Sequence, residues 1–227
     1  MNIKIIFENE NFLVIDKPSG IVIHPFDYST EYTLVDFLHE NYSKMFYIDN
    51  SVTLQDKRTI ELGGIVHKLD RDTSGILVIA KTQEVFDELK SQFRNHIIKK
   101  TYVAVVEGII EQNKFIIDSP LGRNKKDYKQ STNPVNLRGE LREAITEVEV
   151  IERRANTTLV KLLPKTGRTH QLRAHMSSIG HPIVGDKIYG SKIDSPHIML
   201  HAESLSFDLD REENTFKSEM PKEFFNK

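Results

Sequence analysis

The run His67-Lys68-Leu69-Asp70-Arg71-Asp72-Thr73-Ser74-Gly75 places a carboxylate where a hydrophobic approach meets a Thr-Ser-Gly turn. The apolar strand Ile76-Leu77-Val78-Ile79-Ala80 follows at once. Leu69 and that strand belong in a core, so Asp70 stands at its edge, where an ionised carboxylate is costly unless paired. Asp beside Ser and Gly is also ordinary turn chemistry, so Asp70 and Asp72 read equally well as residues that cap the strand entry. A second run, Lys165-Thr166-Gly167-Arg168-Thr169-His170-Gln171-Leu172-Arg173-Ala174-His175-Met176, offers a cation of the right kind. A buried arginine keeps a carboxylate charged through a bidentate pair. Leu172, Met176 and Ile179 predict an apolar stripe on a helix from about Arg168 to Ile179, ended by Gly180. His170, Arg173 and Ser177 share the roughly opposite face. Taken alone, Arg173 is a solvated helix charge.

The elements that must position these residues are mostly strands. Short apolar runs rich in Val and Ile predict strands at Ile3 to Phe7, Phe12 to Ile15, Gly75 to Ala80, Tyr102 to Val106, Ile145 to Ile151, Thr157 to Leu163 and Ile198 to Phe207. Thr146-Glu147-Val148-Glu149-Val150 alternates, as an antiparallel strand with one wet face does. Phe86, Leu89, Phe93 and Ile97 recur at helical spacing, predicting a helix from Thr82 to Ile97. Leu34, Phe37 and Leu38 support another, before an insertion around Ser43 to Glu61. Strands with few helices at irregular spacing point to α+β with a large mixed sheet. The first predicted strand begins near Ile3, and one domain over residues 1–227 is expected.

The two motifs together resemble the RluA-type RNA pseudouridine synthases. That family carries His-Arg-Leu-Asp-x-x-Thr-Ser-Gly, then Thr-Gly-Arg-Thr-His-Gln-Leu-Arg, then Gly-His-Pro-Ile-x-Gly-Asp, the last matched by Gly180-His181-Pro182-Ile183-Val184-Gly185-Asp186. Phe12-Leu13-Val14-Ile15-Asp16-Lys17-Pro18-Ser19-Gly20 looks like the family's opening strand and turn, Lys100-Thr101-Tyr102-Val103-Ala104 like its tyrosine motif and Leu200-His201-Ala202 like its closing one. The resemblance implies a long, bent, mostly antiparallel mixed sheet with helices flanking a central RNA-binding cleft. It leaves no room here for the family's frequent N-terminal S4 domain. It also implies that Asp70 is the catalytic carboxylate, acting near C1′ while the N1–C1′ bond breaks and C5 joins C1′. Arg173 is then its partner. Tyr102 would stack on the uracil and help remove the C5 proton; without the resemblance it is a half-buried strand aromatic. Leu200 would line the base pocket; otherwise it is core. The family's arginine before Leu-Asp is Lys68 here, which keeps the charge but loses the guanidinium plane. RNA contacts fall to Lys68, to Arg123, Lys125, Lys126 and Lys129 in a polar stretch between strands, and to Arg168.

Composition narrows the alternatives. The 227 residues contain no cysteine, which removes disulfides, thiolate zinc sites and cysteine nucleophiles such as those of RNA cytosine-5 methyltransferases. The implied isomerisation calls for no redox step, energy input, cofactor or metal. His170 and His175, five residues apart, miss the one-face spacing of a helical zinc pair. No apolar stretch approaches the roughly 18 residues of a membrane span, and the N-terminus lacks a signal-peptide pattern, so a cytoplasmic protein is expected. The resemblance implies ribosomal or transfer RNA stem-loops as partners, and a monomer is expected. The formal net charge of −2 is unusual for an RNA binder, but Leu121 to Arg173 holds 12 Lys and Arg against 6 Asp and Glu. Two rivals remain: a non-catalytic RNA-binding domain on the same fold, and a metal-dependent hydrolase built on the histidines.

Overall fold

Apolar continuity and alternation decide the strands in the computed structural model, which describes residues 3–25, 30–125, 129–133 and 137–225. By its contacts the chain divides into two units, Met1–Ile98 with Ser204–Ser218, and Lys99–Glu203 with Glu219–Lys227. Each unit is α+β with antiparallel strands.

In the first unit β1 (Lys4–Glu8) pairs with β2 (Phe12–Lys17). Leu13, Val14 and Ile15 are all fully buried, the mark of a strand covered on both faces. After α1 (Leu34–Asn41), a short hairpin joins β3 (Ser51–Thr53) to β4 (Thr59–Glu61). This hairpin, with a 3₁₀ turn at Ser43–Tyr47, fills the stretch the sequence marks as an insertion. Strand β5 (Ser74–Ala80) then pairs antiparallel with β2, from Phe12↔Ala80 to Lys17↔Gly75. That register sets Lys17 beside the turn that carries Asp70.

Helix α2 (Gln83–Arg94) starts at Thr82, whose side chain accepts the Val85 amide proton. It stops three residues short of the expected Ile97, which is 51% exposed. His96 takes a left-handed φ of 57°, its N–H donates to Phe93 O, and the Ile97 N–H donates to Gln92 O. This is a Schellman ending without glycine, and it turns Ile97 off the helical stripe.

The second unit is built on β6 (Lys99–Glu107), β7 (Lys114–Asp118), β11 (Ile145–Arg153) and β12 (Thr157–Pro164), in the spatial order β6-β12-β11-β7. Between β7 and β11 stands a separate three-stranded sheet of β8 (Leu121–Asn124), β9 (Gln130–Ser131) and β10 (Leu137–Arg142). Alternation in β11 works as expected: Thr146 and Val148 are buried, while Glu149 pairs with Lys114 at 2.6 Å and Glu147 with Lys165 at 3.2 Å. Helix α3 (Gln171–Ser178) ends in a second Schellman motif, with Gly180 at φ +85° and the His181 N–H on Met176 O.

Strand β13 (Leu200–Leu209) begins in the second unit and runs into the first, where β14 (Glu212–Lys217) pairs with it from Ser204↔Lys217 to Leu209↔Glu212. Gln92 of α2 grips this return segment, donating to Asp208 O and accepting the Asp208 N–H at 3.0 Å. Among the described residues, no helix is long and apolar enough to cross a membrane.

Candidate active site

In the first unit Asp70 is half-buried on the loop between buried Leu69 and buried Thr73. The loop closes on itself through the Thr73 N–H to Asp70 O, 3.2 Å. It is held from behind by the Lys17-Pro18-Ser19-Gly20 turn. Gly20, at φ +86°, donates its N–H to Arg71 O at 2.9 Å, and Ser19 Oγ donates to Asp72 O at 2.8 Å. Lys17 is fully buried, and its ammonium donates to Pro18 O and Ile21 O at 2.9 Å and to Arg71 O at 3.0 Å. All three protons therefore have an acceptor. Burial pulls the Lys17 pKa down to about 8, against the opposing pull of the Asp72 and Asp70 charges. The motif quoted from the sequence contained Lys17, but a lysine ending a buried strand carries no local sign that its amine will tie two loops together.

The neighbours of Asp70 have structural tasks. His67 Nε2 accepts the Val78 N–H at 3.1 Å, and the ring stacks on Phe93 at 4.5 Å. Lys68 is exposed along its stem, but its ammonium rests 2.5 Å from His24 Nε2. Because His24 Nδ1 donates to Pro25 O, Nε2 is the acceptor for Lys68. Partial desolvation, and then the charge of Lys90, lower the Lys68 pKa.

In the second unit Tyr102, Leu200, Leu172 and Met176 meet. Leu200 is 3% exposed in an apolar cluster with Leu172, Met176, Ala104 and Leu162, and half-buried Tyr102 packs against that cluster. Arg173 is 3% exposed, so it is no solvated helix charge. Its Nε and Nη2 fork onto Asp186 at 2.6 and 3.0 Å, and its guanidinium lies 5.1 Å from the centre of the Tyr189 ring. Asp186, fully buried, also accepts the Tyr189 N–H at 3.2 Å. The helix face expected to carry His170, Arg173 and Ser177 is the one that meets Tyr189: His170 Nδ1 lies 3.1 Å from Tyr189 Oη, and Ser177 Oγ donates to Tyr189 O at 2.7 Å. Asp186 was visible as the last residue of Gly-His-Pro-Ile-x-Gly-Asp. Its task was not, because a carboxylate's partner lies in space and not in sequence.

The helix itself starts at Gln171 and not at Arg168. The Gln171 side chain folds back instead, its Oε1 accepting the Arg168 N–H at 3.0 Å and the Thr166 hydroxyl at 2.7 Å. Its Nε2 donates to Ile145 O at 3.0 Å and to Thr146 Oγ1 at 3.1 Å. Ile179, expected on the apolar stripe, is the C-cap and is 38% exposed. His175 is buried between Ser119 O and Thr146 Oγ1, both at 2.9 Å. Nε2–H donates to the carbonyl, so Nδ1 accepts from the Thr146 hydroxyl and the ring is neutral. Burial lowers its pKa.

Of the expected RNA contacts, Arg123 and Lys125 are exposed and Lys129 is half-buried; Lys126 lies outside the described residues. The polar stretch expected between strands is partly strand. Arg123 in β8 stands directly across from Arg138 in β10, a cation the sequence reading passed over. Arg168 is half-buried, with Nε donating to Glu143 O at 2.9 Å.

A sequence profile described as RNA pseudouridylate synthase matches residues 11–178. The chain is 37% identical to an uncharacterized RNA pseudouridine synthase of Bacillus subtilis, over 97% of this chain and 69% of that one. It is 38% identical to ribosomal large subunit pseudouridine synthase D of Pseudomonas aeruginosa, over 87% of this chain and 57% of that one. The chain thus spans roughly three-fifths to two-thirds of the length of the curated relatives it matches. Among solved structures, Human RNA Pseudouridylate Synthase Domain Containing 1 aligns with a TM-score of 0.77 at 26% identity, covering 96% of this chain and 83% of that one. A profile that takes in Asp70, Tyr102 and Arg173, relatives matched over nearly the whole chain, and a shared fold place the chain in the RNA pseudouridylate synthase family.

Proposed function

We propose that this chain isomerises uridine to pseudouridine in large-subunit ribosomal RNA, with Asp70 as the carboxylate acting at the C1′ side of the sugar. The observation that carries the reading is the family match across residues 11–178, with Asp70 on a loop fixed by three backbone-directed bonds from the Lys17–Gly20 turn. The substrate class rests on relatives named ribosomal large subunit pseudouridine synthase, at 34–38% identity. The bookkeeping of the reaction closes on the base: N1–C1′ breaks, C5–C1′ forms, the C5 proton leaves and N1 gains a proton. Asp70 supplies the charge at C1′. Tyr102 offers the uracil a flat surface, and its hydroxyl receives the C5 proton or passes it on. Arg173, forked onto Asp186, is the arginine that the family pairs with its catalytic carboxylate, and Leu200 lines the base pocket. The protein works as a monomer in the cytoplasm on a stem-loop whose target base is turned out of the stack.

RNA contacts fall on the β8–β9–β10 sheet. Arg123 and Arg138 are like charges at one cross-strand pair, an arrangement that disfavours the sheet unless a polyanion lies over it. Purified protein should release tritium from ribosomal RNA labelled at uracil C5 with nothing added. Asp70→Asn should abolish release and leave RNA binding within a few-fold of wild type. Wild-type turnover in Asp70→Asn would falsify the assignment, and a variant that lost RNA binding as well would fit the rival reading of a binding domain. Sedimentation of the protein alone tests the monomer.

A further inference from the structure

Strand β6 alternates strictly. Ala104 and Val106 enter the apolar cluster with Leu172 and Met176 of α3, whereas Val103 and Val105 enter a different cluster on the other face. Counting back in steps of two, Lys100 shares the face of Tyr102, Ala104 and Val106. On that side Lys100 Nζ comes to Gly167, the glycine of Thr166-Gly167-Arg168, where a Cβ would stand 3.6 Å from the ammonium. Lys100 is half-buried, and among the described residues no acceptor hydrogen-bonds its amine and no carboxylate pairs with it. The contrast with Lys17 is direct, since that ammonium is more deeply buried yet has three carbonyls. Desolvation lowers the Lys100 pKa, and among the described residues no neighbouring charge opposes it. A cation withdrawn from water without a partner costs stability, and such groups concentrate where a ligand supplies the missing charge.

We propose that Lys100 and the side-chain-free Gly167 form the seat of one backbone phosphate of the RNA, next to the nucleotide that Tyr102 faces. The inference rests on the RNA reading above and adds to it a defined anion subsite. A phosphodiester fits the chemistry: it brings one negative charge, it needs a donor with no geometric fork, and Gly167 leaves open space beside the ammonium. Lysine meets a phosphate as a point charge, where an arginine would select a bidentate face.

Lys100→Met should weaken binding of a ribosomal RNA transcript about tenfold near 0.1 M salt. It should also lessen the slope of log K against log salt by about 0.7–0.9, the loss of one neutralised phosphate. In tritium release the loss should appear in KM more than in kcat. The melting temperature of the RNA-free variant should hold or rise, because an unpaired desolvated charge has gone. Lys100→Arg should recover part of the affinity, and Gly167→Val should reproduce the affinity loss with Lys100 intact. An unchanged salt slope in Lys100→Met, or a fall in its melting temperature, would overturn the phosphate seat and make Lys100 a structural residue. A wild-type protein that shows the Lys100-dependent slope but releases no tritium would leave the seat standing and overturn the assigned reaction instead.

Discussion

The Asp70 loop and the Arg173 helix hold opposite charges by opposite means. Around Asp70 the fixing is done by the main chain: Lys17, Ser19 and Gly20 all grip carbonyls of Arg71 and Asp72. Around Arg173 it is done by side chains: the Asp186 fork, the Tyr189 ring and, one turn away, the Gln171–Thr146–His175 network. A carboxylate borne on a loop inherits its position from the loop's backbone. A guanidinium at the end of a long side chain has several torsions to fix, and only direct partners fix them.

This contrast breaks most sharply at Asp186. Asp186→Ala removes the carboxylate fork from a buried guanidinium and should cost about 3–5 kcal/mol in urea unfolding. A loss below about 1 kcal/mol would mean that the Asp186 fork is not what holds Arg173.

The loop side breaks at Lys17. Lys17→Met orphans buried carbonyls and should cost about 1–3 kcal/mol at neutral pH. The pH dependence sharpens this further. The folded Lys17 pKa of about 8 lies below the usual 10.5, so between those values the unfolded chain binds the extra proton. Stability should therefore rise from pH 8 toward 10.5 in the wild type relative to Lys17→Met, and be lost as pH falls through 8. A parallel pair of curves would show that the folded amine titrates at its ordinary value.

His175 gives a smaller effect on the helix side. Its folded pKa is depressed, so its contribution is present above about 6.5, the ordinary histidine value, and is lost as pH falls through the lowered one. Protonation puts a second donor against the Thr146 hydroxyl. Acid should loosen α3 in wild type but much less in His175→Gln, with amide exchange at Arg173–Met176 as the readout. Smallest of all, Arg138→Ala in the β8–β10 pair should weaken RNA binding only a few-fold and spread the loss evenly over RNA sequences.

The strands were legible because burial writes itself into sequence as apolar runs and alternation, and β2, β5, β6, β11 and β12 match their expected places to within a few residues. The two helix ends show where legibility stops. Gly180 announces the end of α3, since glycine adopts the left-handed backbone at little cost. Nothing announces the end of α2, where His96 adopts the same conformation with a side chain in place. The small β8–β10 sheet stayed hidden because its strands are short, polar and exposed, and leave no periodic trace.

The sequence by itself determined the strand core and the family, because motifs and apolar periodicity are local properties. Only the tertiary structure decided that Asp186 forks onto Arg173, that Lys17 braces the Asp70 loop and that, among the described residues, Lys100 has no counter-charge. Those facts concern which polar groups meet after burial, and the partners lie 13 and 54 residues apart along the chain. Burial makes such pairings energetically decisive, and no local pattern encodes them.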